Sequence, residues 1–222
     1  MKIERMKRIY IFIVAVLFAG TMFADSSERQ LRRLSFDRTF NCSAERANEI
    51  IDMFVYEMQT DMNHLFTWAF IGTENQGDTK GKDAVSIKYV GNTYYPETRT
   101  GVLLTTIEVL GVPWFKNREI GSVYTDSVVN NTRYARLDIT YSGSLLQAAD
   151  GQFHTTPIDK NHAFVHFELN VTLGKFFSAF VTNKTWNEVA SWRIETIFGN
   201  IKEYAETGTV LPKDVDVIIN QK

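Results

Sequence analysis

The sequence predicts an α+β fold in which a curved antiparallel sheet of about seven strands wraps around a long C-terminal helix, with one or two helices after the first strand. Three observations support this prediction. A short alternating segment is followed by a long stretch with helical spacing, six alternating segments follow one another between Val85 and Leu173, and an amphipathic segment closes the chain. Consecutive strands joined by short turns are typical of an antiparallel meander.

The first strand and the first helix are both visible as hydrophobic patterns. Residues 33–40 alternate, with Leu34, Phe36 and Phe40 on one face. Asn41 or Ser43 then offers an N-cap oxygen, and apolar residues recur at spacings of three and four as far as residue 66. The spacing predicts one long helix, or two with a break near Asp61, packed against the sheet.

The central strands are predicted over residues 85–90, 99–110, 120–129, 134–141, 145–156 and 162–173. Turn signals such as Gly91-Asn92 and Asn130-Asn131 separate them. The pair Asp150-Gly151 lies inside the fifth of these segments. We interpret it as a bulge where the sheet bends, rather than as the turn of a hairpin.

Alternation also predicts which side chains point toward the helices and could line a cavity. From the strands these are Phe36, Arg38, Phe40, Leu103, Thr105, Ile107, Leu137, Ile139, Tyr141, Val165, Phe167 and Leu169, and from the last helix Trp192 and Ile197. Trp114 and Phe115 follow Gly111-Val112-Pro113 in a predicted turn. An exposed aromatic pair there would mark the cavity rim or a loop that makes a transient membrane contact, and the alternative is a loop folded back on the core.

Three of these cavity candidates are polar. Arg38 must meet a carboxylate, a ligand head group or solvent at the strand end, because a buried unpaired cation is very costly. Thr105 and Tyr141 are suited to orienting a ligand hydroxyl or carbonyl, although such groups usually bond to neighbouring backbone.

The last element has a helix-start signature. Residues 185–188, Thr-Trp-Asn-Glu, match the capping box, apolar residues follow on one side, and Gly208 is a stop signal. We therefore predict a single domain over residues 25–208 and a surface tail over residues 209–222.

The N-terminus predicts export. A basic stretch, an apolar run over residues 9–19 and small residues before Ala24 are typical of a signal peptide over residues 1–24, cleaved after Ala24; a retained anchor is the alternative. Its removal would take the formal charge from −2 to −5, since four basic groups and one acidic group leave with it. An acidic mature chain argues against nucleic acid as a partner. Cys42 is the single cysteine, so no internal disulfide can form.

The order strand, helix or helix pair, six-stranded meander and long C-terminal helix resembles that of the START/birch-pollen-allergen-like superfamily (SRPBCC), which includes polyketide cyclase and lipid-transport branches. The resemblance is clearest in Leu34–Phe40 running into Ser43–Arg46, and from Tyr141 through Gly151–Phe153 and Phe167–Val171 to the helix 185–207. It covers roughly residues 31–207 and carries no motif that transfers catalytic residues. It implies a helix-grip fold with an apolar tunnel between the sheet and the long helix.

The sequence therefore predicts a non-catalytic protein that holds a hydrophobic small molecule or lipid, with no cofactor. The alternatives are a cyclase, dehydratase or hydrolase on the same fold, and an envelope protein-interaction module with a filled core. His162, His166 and Glu168 share one face of one strand, but that face is outward and successive same-face residues lie about 7 Å apart, so we predict no metal site there.

Overall fold

The structure, a computed structural model, describes residues 31–73, 85–109, 112–142, 146–174 and 186–211. The helices are α1 (Ala44–Thr60), α2 (Met62–Leu65) and α3 (Ser191–Thr207), and the strands are β1 (Leu31–Phe40), β2 (Val85–Tyr95), β3 (Thr100–Val109), β4 (Val112–Val129), β5 (Thr132–Tyr141), β6 (Leu146–Pro157) and β7 (Ala163–Leu173). The predicted signal peptide, residues 1–24, and most of the predicted tail lie outside the described residues. None of the described helices has the length and hydrophobicity needed to cross a membrane.

The seven strands form one antiparallel sheet in the order β1-β7-β6-β5-β4-β3-β2. Each strand from β2 to β7 pairs with its neighbour in sequence, and β1 closes onto β7. The predicted alternation in β7 is confirmed: its odd-numbered residues, from Ala163 to Leu173, are all buried. This buried face meets α1 and α3, so the predicted α+β helix-grip fold is confirmed.

The helix after β1 begins and ends where short polar side chains satisfy its backbone. Ser43 Oγ accepts a hydrogen bond from the Arg46 backbone N–H at 3.2 Å, which identifies Ser43 as the N-cap. Asp61 interrupts the helix with a non-helical backbone conformation (φ −146°, ψ 73°), and its Oδ1 accepts from the His64 backbone N–H at 3.1 Å. The predicted break near Asp61 is therefore confirmed, with α1 and α2 on its two sides.

The long C-terminal helix is held at both ends and in the middle. A single π-helical turn, Trp186–Ala190, precedes α3, and Gly208 ends it in the left-handed region with φ of 77°. The fully buried Asn200 donates to the backbone oxygens of Ala69 and Ile71 at 2.9 and 2.8 Å. These bonds tie α3 to the segment that follows α2. Thr185, the first residue of the predicted capping box, lies outside the described residues.

Two predicted turns are wrong. Gly91-Asn92 does not end the second strand; β2 continues to Tyr95 past a register shift between Tyr89 and Gly91, and the chain turns at Pro96–Thr98 instead. The segment after residue 111 is not a turn either, because β4 already begins at Val112 and Phe115 pairs with Ile107. Glycine and proline mark these places, but each is absorbed as an irregularity within a strand pair.

The predicted bulge at Asp150-Gly151 is also wrong. Leu137 and Asp138 of β5 pair in continuous register with Gly151 and Asp150, and the register shift in β6 lies between Leu146 and Ala148. The glycine therefore does not bend the strand, and its role lies in the space that it leaves on the inner face.

Candidate ligand-binding cavity

A cavity of about 40 Å³ lies between the inner face of the sheet and the two long helices. It is lined by Phe54, Val55 and Met58 from α1, by Leu137, Ile139, Ala149, Asp150, Gly151, Phe153, Phe167 and Leu169 from β5, β6 and β7, and by Ile194, Ile197, Phe198 and Ile201 from α3. Nearly all of these side chains are apolar, so the cavity favours an apolar occupant.

The sheet contributes this space because two small residues follow each other on the inner face of β6. Ala149 and Gly151 lie between the larger side chains of β5 and β7, with Gly151 opposite Leu137 and Leu169. A Cβ added at Gly151 would meet Phe167 at 3.7 Å and Leu169 at 3.9 Å, which is ordinary van der Waals contact. The position therefore has room for at least a methyl group.

Aromatic rings hold the helices apart from the sheet beside this space. Phe153 of β6 contacts Phe54 of α1, Phe167 of β7 and Phe198 of α3, with ring centroids 6.1, 4.6 and 6.1 Å apart. Phe167 and Phe198 contact each other at 5.9 Å. Because the rings bridge all three layers, they set the distance between the sheet and both helices on this side of the cavity.

A polar cluster joins α1 to β4 and β5 beside the cavity. Arg133 Nη2 donates to Asp52 Oδ1 at 2.6 Å and to the Tyr124 hydroxyl at 2.8 Å, and Tyr124 in turn donates to Asp52 at 2.6 Å. Burial, followed by the hydrogen bond to Asp52, raises the pKa of Tyr124 far above its ordinary value. Tyr124 thus stays protonated at neutral pH and acts as a hydrogen-bond donor, not as a base.

The structure divides the predicted cavity residues into two groups. Leu137, Ile139, Phe167, Leu169 and Ile197 line the cavity. The others do not: Phe40, Leu103, Ile107 and Val165 are buried in the surrounding core, and Phe36 and Trp192 are partly buried.

The predicted polar residues are used for internal contacts. Arg38 meets a carboxylate, as one of its predicted alternatives required: its Nη2 lies 2.6 Å from Glu195 Oε1 of α3, and both groups are partly exposed. The buried Thr105 hydroxyl donates to the Arg118 backbone oxygen at 2.9 Å. These groups fasten the fold.

The prediction that Tyr141 points inward is wrong, because it is 44% exposed. A register shift between Gly121 and Ser122 pairs Gly121 with Tyr141 and Ser122 with Ile139, so one extra residue reverses the alternation at the end of β5. Ser142 is buried instead, and its hydroxyl bonds with the backbone of Leu146. A one-residue irregularity cannot be seen in the alternation of a single strand.

The predicted rim pair is only partly described. Phe115 is partly buried, packs against the core and has the Arg118 guanidinium 5.4 Å from its ring centroid. The side chain of Trp114 lies outside the described part of the structure. Val112, at the start of the same strand, is 56% exposed. A membrane contact here stays a prediction.

Sequence reasoning missed the lining residues Phe54, Val55 and Met58 of α1, Ile194, Phe198 and Ile201 of α3, and Phe153 of β6. The helical residues belong to the apolar stripes that predict α1 and α3, so the signal was present but was interpreted as core. The assumed bulge at Asp150-Gly151 obscured the alternation that places Ala149, Gly151 and Phe153 on one face.

No lining side chain is placed as an acid or base toward the cavity. Asp150, the one charged lining residue, directs its carboxylate to Asn170 Nδ2 at 3.2 Å and to Arg136 at 3.7 Å. His162 and His166 have separate partners, since their Nδ1 atoms lie 2.9 Å from Asp159 and 2.6 Å from Asp37. Within the described ranges, no three His, Cys, Asp or Glu side chains are grouped so that they could hold a metal ion.

No protein-family model matches the chain, and no curated protein sequence matches it. The structure is similar to a START superfamily protein from Mycobacterium smegmatis, with 13% identity over 80% of this chain and 99% of that chain and a TM-score of 0.46. It is similar to a truncated norcoclaurine synthase from Thalictrum flavum, with 12% identity over 80% and 94% of the two chains and a TM-score of 0.46. It is also similar to the Zhui aromatase/cyclase from Streptomyces sp. R1128, with 8% identity over 82% and 99% and a TM-score of 0.43. The helix-grip fold itself is established by the strand order and the helix positions described above.

Proposed function

We propose that this protein is an exported carrier that binds a hydrophobic small molecule or lipid, without chemistry, in the cavity between the sheet, α1 and α3. The observation that carries this proposal is the apolar lining, which comes from all three layers around the small residues Ala149 and Gly151. A solid core would place larger side chains at the centre of β6, and at Gly151 an added Cβ would meet only ordinary contact distances.

Ligand binding requires this cavity to expand. About 40 Å³ of open space corresponds to roughly three water molecules, whereas pockets for small-molecule ligands measure about 300–1,000 Å³. The long helices are the elements whose displacement would enlarge the cavity, because they form its wall opposite the sheet. An ion pair joins each helix to the sheet, α1 by Asp52 to Arg133 and α3 by Glu195 to Arg38. We therefore propose that the ligand enters by displacing α1 or α3 from the sheet.

A second candidate is supported by the same small volume. Because the four phenylalanine rings already fill much of the space between the layers, the domain could act as an envelope interaction module with its core filled by its own side chains. A cyclase-type enzyme is less well supported, since Asp150, the one charged residue among those that line the cavity, directs its carboxylate to Asn170 and Arg136.

Native mass spectrometry of the protein purified from its own host compartment, with denaturing release of any bound molecule, tests the carrier proposal. We expect a retained lipid or other apolar molecule at defined stoichiometry, or one-to-one uptake of an environment-sensitive apolar dye. A clean apo mass with no dye uptake would contradict the carrier proposal and favour the filled-core module.

A pair of glycine variants ties the result to this cavity. Gly151→Leu should fill the space and weaken dye binding at least tenfold. Gly199→Ala is the control, because an added Cβ there has no neighbouring atom within 4 Å and lies outside the cavity lining. Equal dye affinity in Gly151→Leu, with a native circular dichroism spectrum, would place the dye site elsewhere.

A further inference from the structure

The outer face of the sheet, opposite the cavity, carries a row of polar side chains across four strands. Asp37 of β1 pairs with His166 of β7, His166 with His154 of β6, and His154 with Tyr134 of β5. We propose that His154 and His166 together bind a divalent transition-metal ion, with Asp37 holding His166 in position. This inference is independent of the proposed function of the cavity.

The two histidines have the spacing that shared coordination needs. Directly opposed residues of an antiparallel pair have Cβ atoms about 4.5–5.5 Å apart on the same face. The ring centroids of His154 and His166 are 5.0 Å apart. A metal bound about 2.0–2.1 Å from each nitrogen would lie roughly 3.2 Å from each ring centre. A nitrogen–metal–nitrogen angle of about 90–109° then requires the two ring centres to lie roughly 4.5–5.2 Å apart.

The hydrogen bonds leave a nitrogen of each ring for the metal. Asp37 Oδ1 lies 2.6 Å from His166 Nδ1, so the carboxylate favours the tautomer that has its proton on Nδ1 and its lone pair on Nε2. A carboxylate on the far nitrogen is the usual support of a metal-binding histidine. His154 Nε2 is buried and has no hydrogen-bond partner among the described residues. A buried nitrogen of this kind requires an explanation, and a metal ion supplies one.

The charges on this face of the sheet favour a cation. The acidic side chains nearest to the pair along the strands are Asp37, whose Oδ1 lies 2.6 Å from His166 Nδ1, and Glu168, two residues from His166 on the same face of β7.

The site would have two protein ligands, with water completing the coordination, because no group of three suitable residues exists in the described ranges. Imidazole ligands suit Cu²⁺, Ni²⁺ and Zn²⁺, and the affinity order for such ligands places Cu²⁺ first. We therefore expect reversible binding that is tightest for copper.

Copper titration of protein without a histidine tag at pH 7.5, followed by electron paramagnetic resonance, tests the proposal. The wild-type spectrum should show two coupled nitrogens, and His154→Gln or His166→Gln should weaken binding at least 100-fold. Asp37→Asn should weaken it about 10- to 100-fold without removing it. His64→Gln and His162→Gln are matched controls, because both side chains are partly exposed and each has a carboxylate partner of its own, Glu57 or Asp159. Unchanged copper affinity in folded His154→Gln would overturn the proposal.

A measurement on the wild-type chain keeps the test decisive if a variant fails to fold. In long-range proton–nitrogen spectra of the histidine rings, substoichiometric Zn²⁺ should shift one nitrogen of His154 and one of His166 together. Shifts confined to His64 or His162, or no shift at millimolar Zn²⁺, would overturn it.

Discussion

Three glycine-to-alanine substitutions that make the same chemical change should have different effects on stability. At Gly101 of β3, an added Cβ would lie 2.8 and 2.9 Å from Cβ and Cγ of Gln59, a buried residue of α1. Non-bonded carbons pack at about 3.5–4.0 Å, so α1 and β3 would have to separate by roughly 0.7–1 Å. At Gly151 the added Cβ makes ordinary contacts, and at Gly199 it meets nothing within 4 Å.

The cost at Gly101 can be estimated from what the separation would disturb. Overpacking in a core costs about 1–3 kcal/mol. Gln59 also donates to Ser122 Oγ at 3.1 Å, and its backbone oxygen accepts from Asn92 at 3.0 Å. Weakening bonds of this kind costs about 1 kcal/mol each. We therefore expect Gly101→Ala to lose about 2–4 kcal/mol, Gly151→Ala to gain about 0.5 kcal/mol and Gly199→Ala to gain about 0.5–1 kcal/mol.

Urea unfolding followed by circular dichroism measures all three variants on one scale. With a slope of about 2 kcal/mol/M, Gly101→Ala should lower the midpoint by about 1–2 M while the other two leave it unchanged or raise it. Equal slopes are needed for the comparison. A Gly101→Ala midpoint within about 0.2 M of wild type would refute the close approach of α1 to β3, and with it the helix position that defines one wall of the cavity.

Three further predictions concern the polar contacts and a helix end. A double-mutant cycle with Asp52→Asn and Arg133→Met should give a coupling free energy of about 1–2 kcal/mol in urea unfolding. The reason is that the 2.6 Å ion pair is half-buried, since Asp52 is 46% exposed. A coupling free energy below about 0.3 kcal/mol would show that the pair does not fasten α1. Gly208→Ala should lower the free energy of unfolding by about 1 kcal/mol in the same assay, and Gly208→Asn should lower it less. The reason is that φ is 77° at this position and asparagine tolerates the left-handed region. Equal decreases in the two variants would argue against this C-cap. The Asn161 backbone N–H and then the His162 side chain lower the pKa of Asp159. The ionised form of Asp159 therefore stabilises the turn above about pH 4, and this contribution is lost as the pH falls through the lowered pKa. Asp159→Asn should match wild-type stability near pH 2 and fall below it near pH 6, and parallel pH profiles would contradict the assignment.

The strands and their faces could be predicted because alternation reports burial directly. In β7 every odd-numbered residue is buried, and the predicted bounds 162–173 differ from the observed ones by one residue. The break at Asp61 was equally accessible, because a short acidic side chain that caps the next turn leaves a local signature in the sequence.

The errors share a physical cause, since all of them concern how one strand pairs with its neighbour. Gly91, Asp150-Gly151 and Tyr141 were interpreted from one strand alone, whereas a bulge is a mismatch between a strand and its partner. The wrong bulge at Gly151 had the larger consequence, because it concealed the alternation that places Phe153 in the cavity wall. The His154–His166 pair was invisible for the same reason: the two residues are twelve apart in sequence and become neighbours only through the register of β6 and β7.

The cavity follows from how closely α1 approaches different strands. Over β3, Gly101 lets Gln59 reach the backbone without an intervening side chain. Phe54 lies five residues earlier in the helix, about 7.5 Å along its axis. Its ring makes an edge-to-face contact with the ring of Phe153 of β6, and the two rings keep α1 and β6 apart. A helix that touches one strand and is held away from another leaves a wedge of space, and the small residues Ala149 and Gly151 extend that wedge into the sheet. Because the contact and the spacer are different residues on different strands, the volume of the cavity can change by substitution at either place while the strand order stays the same.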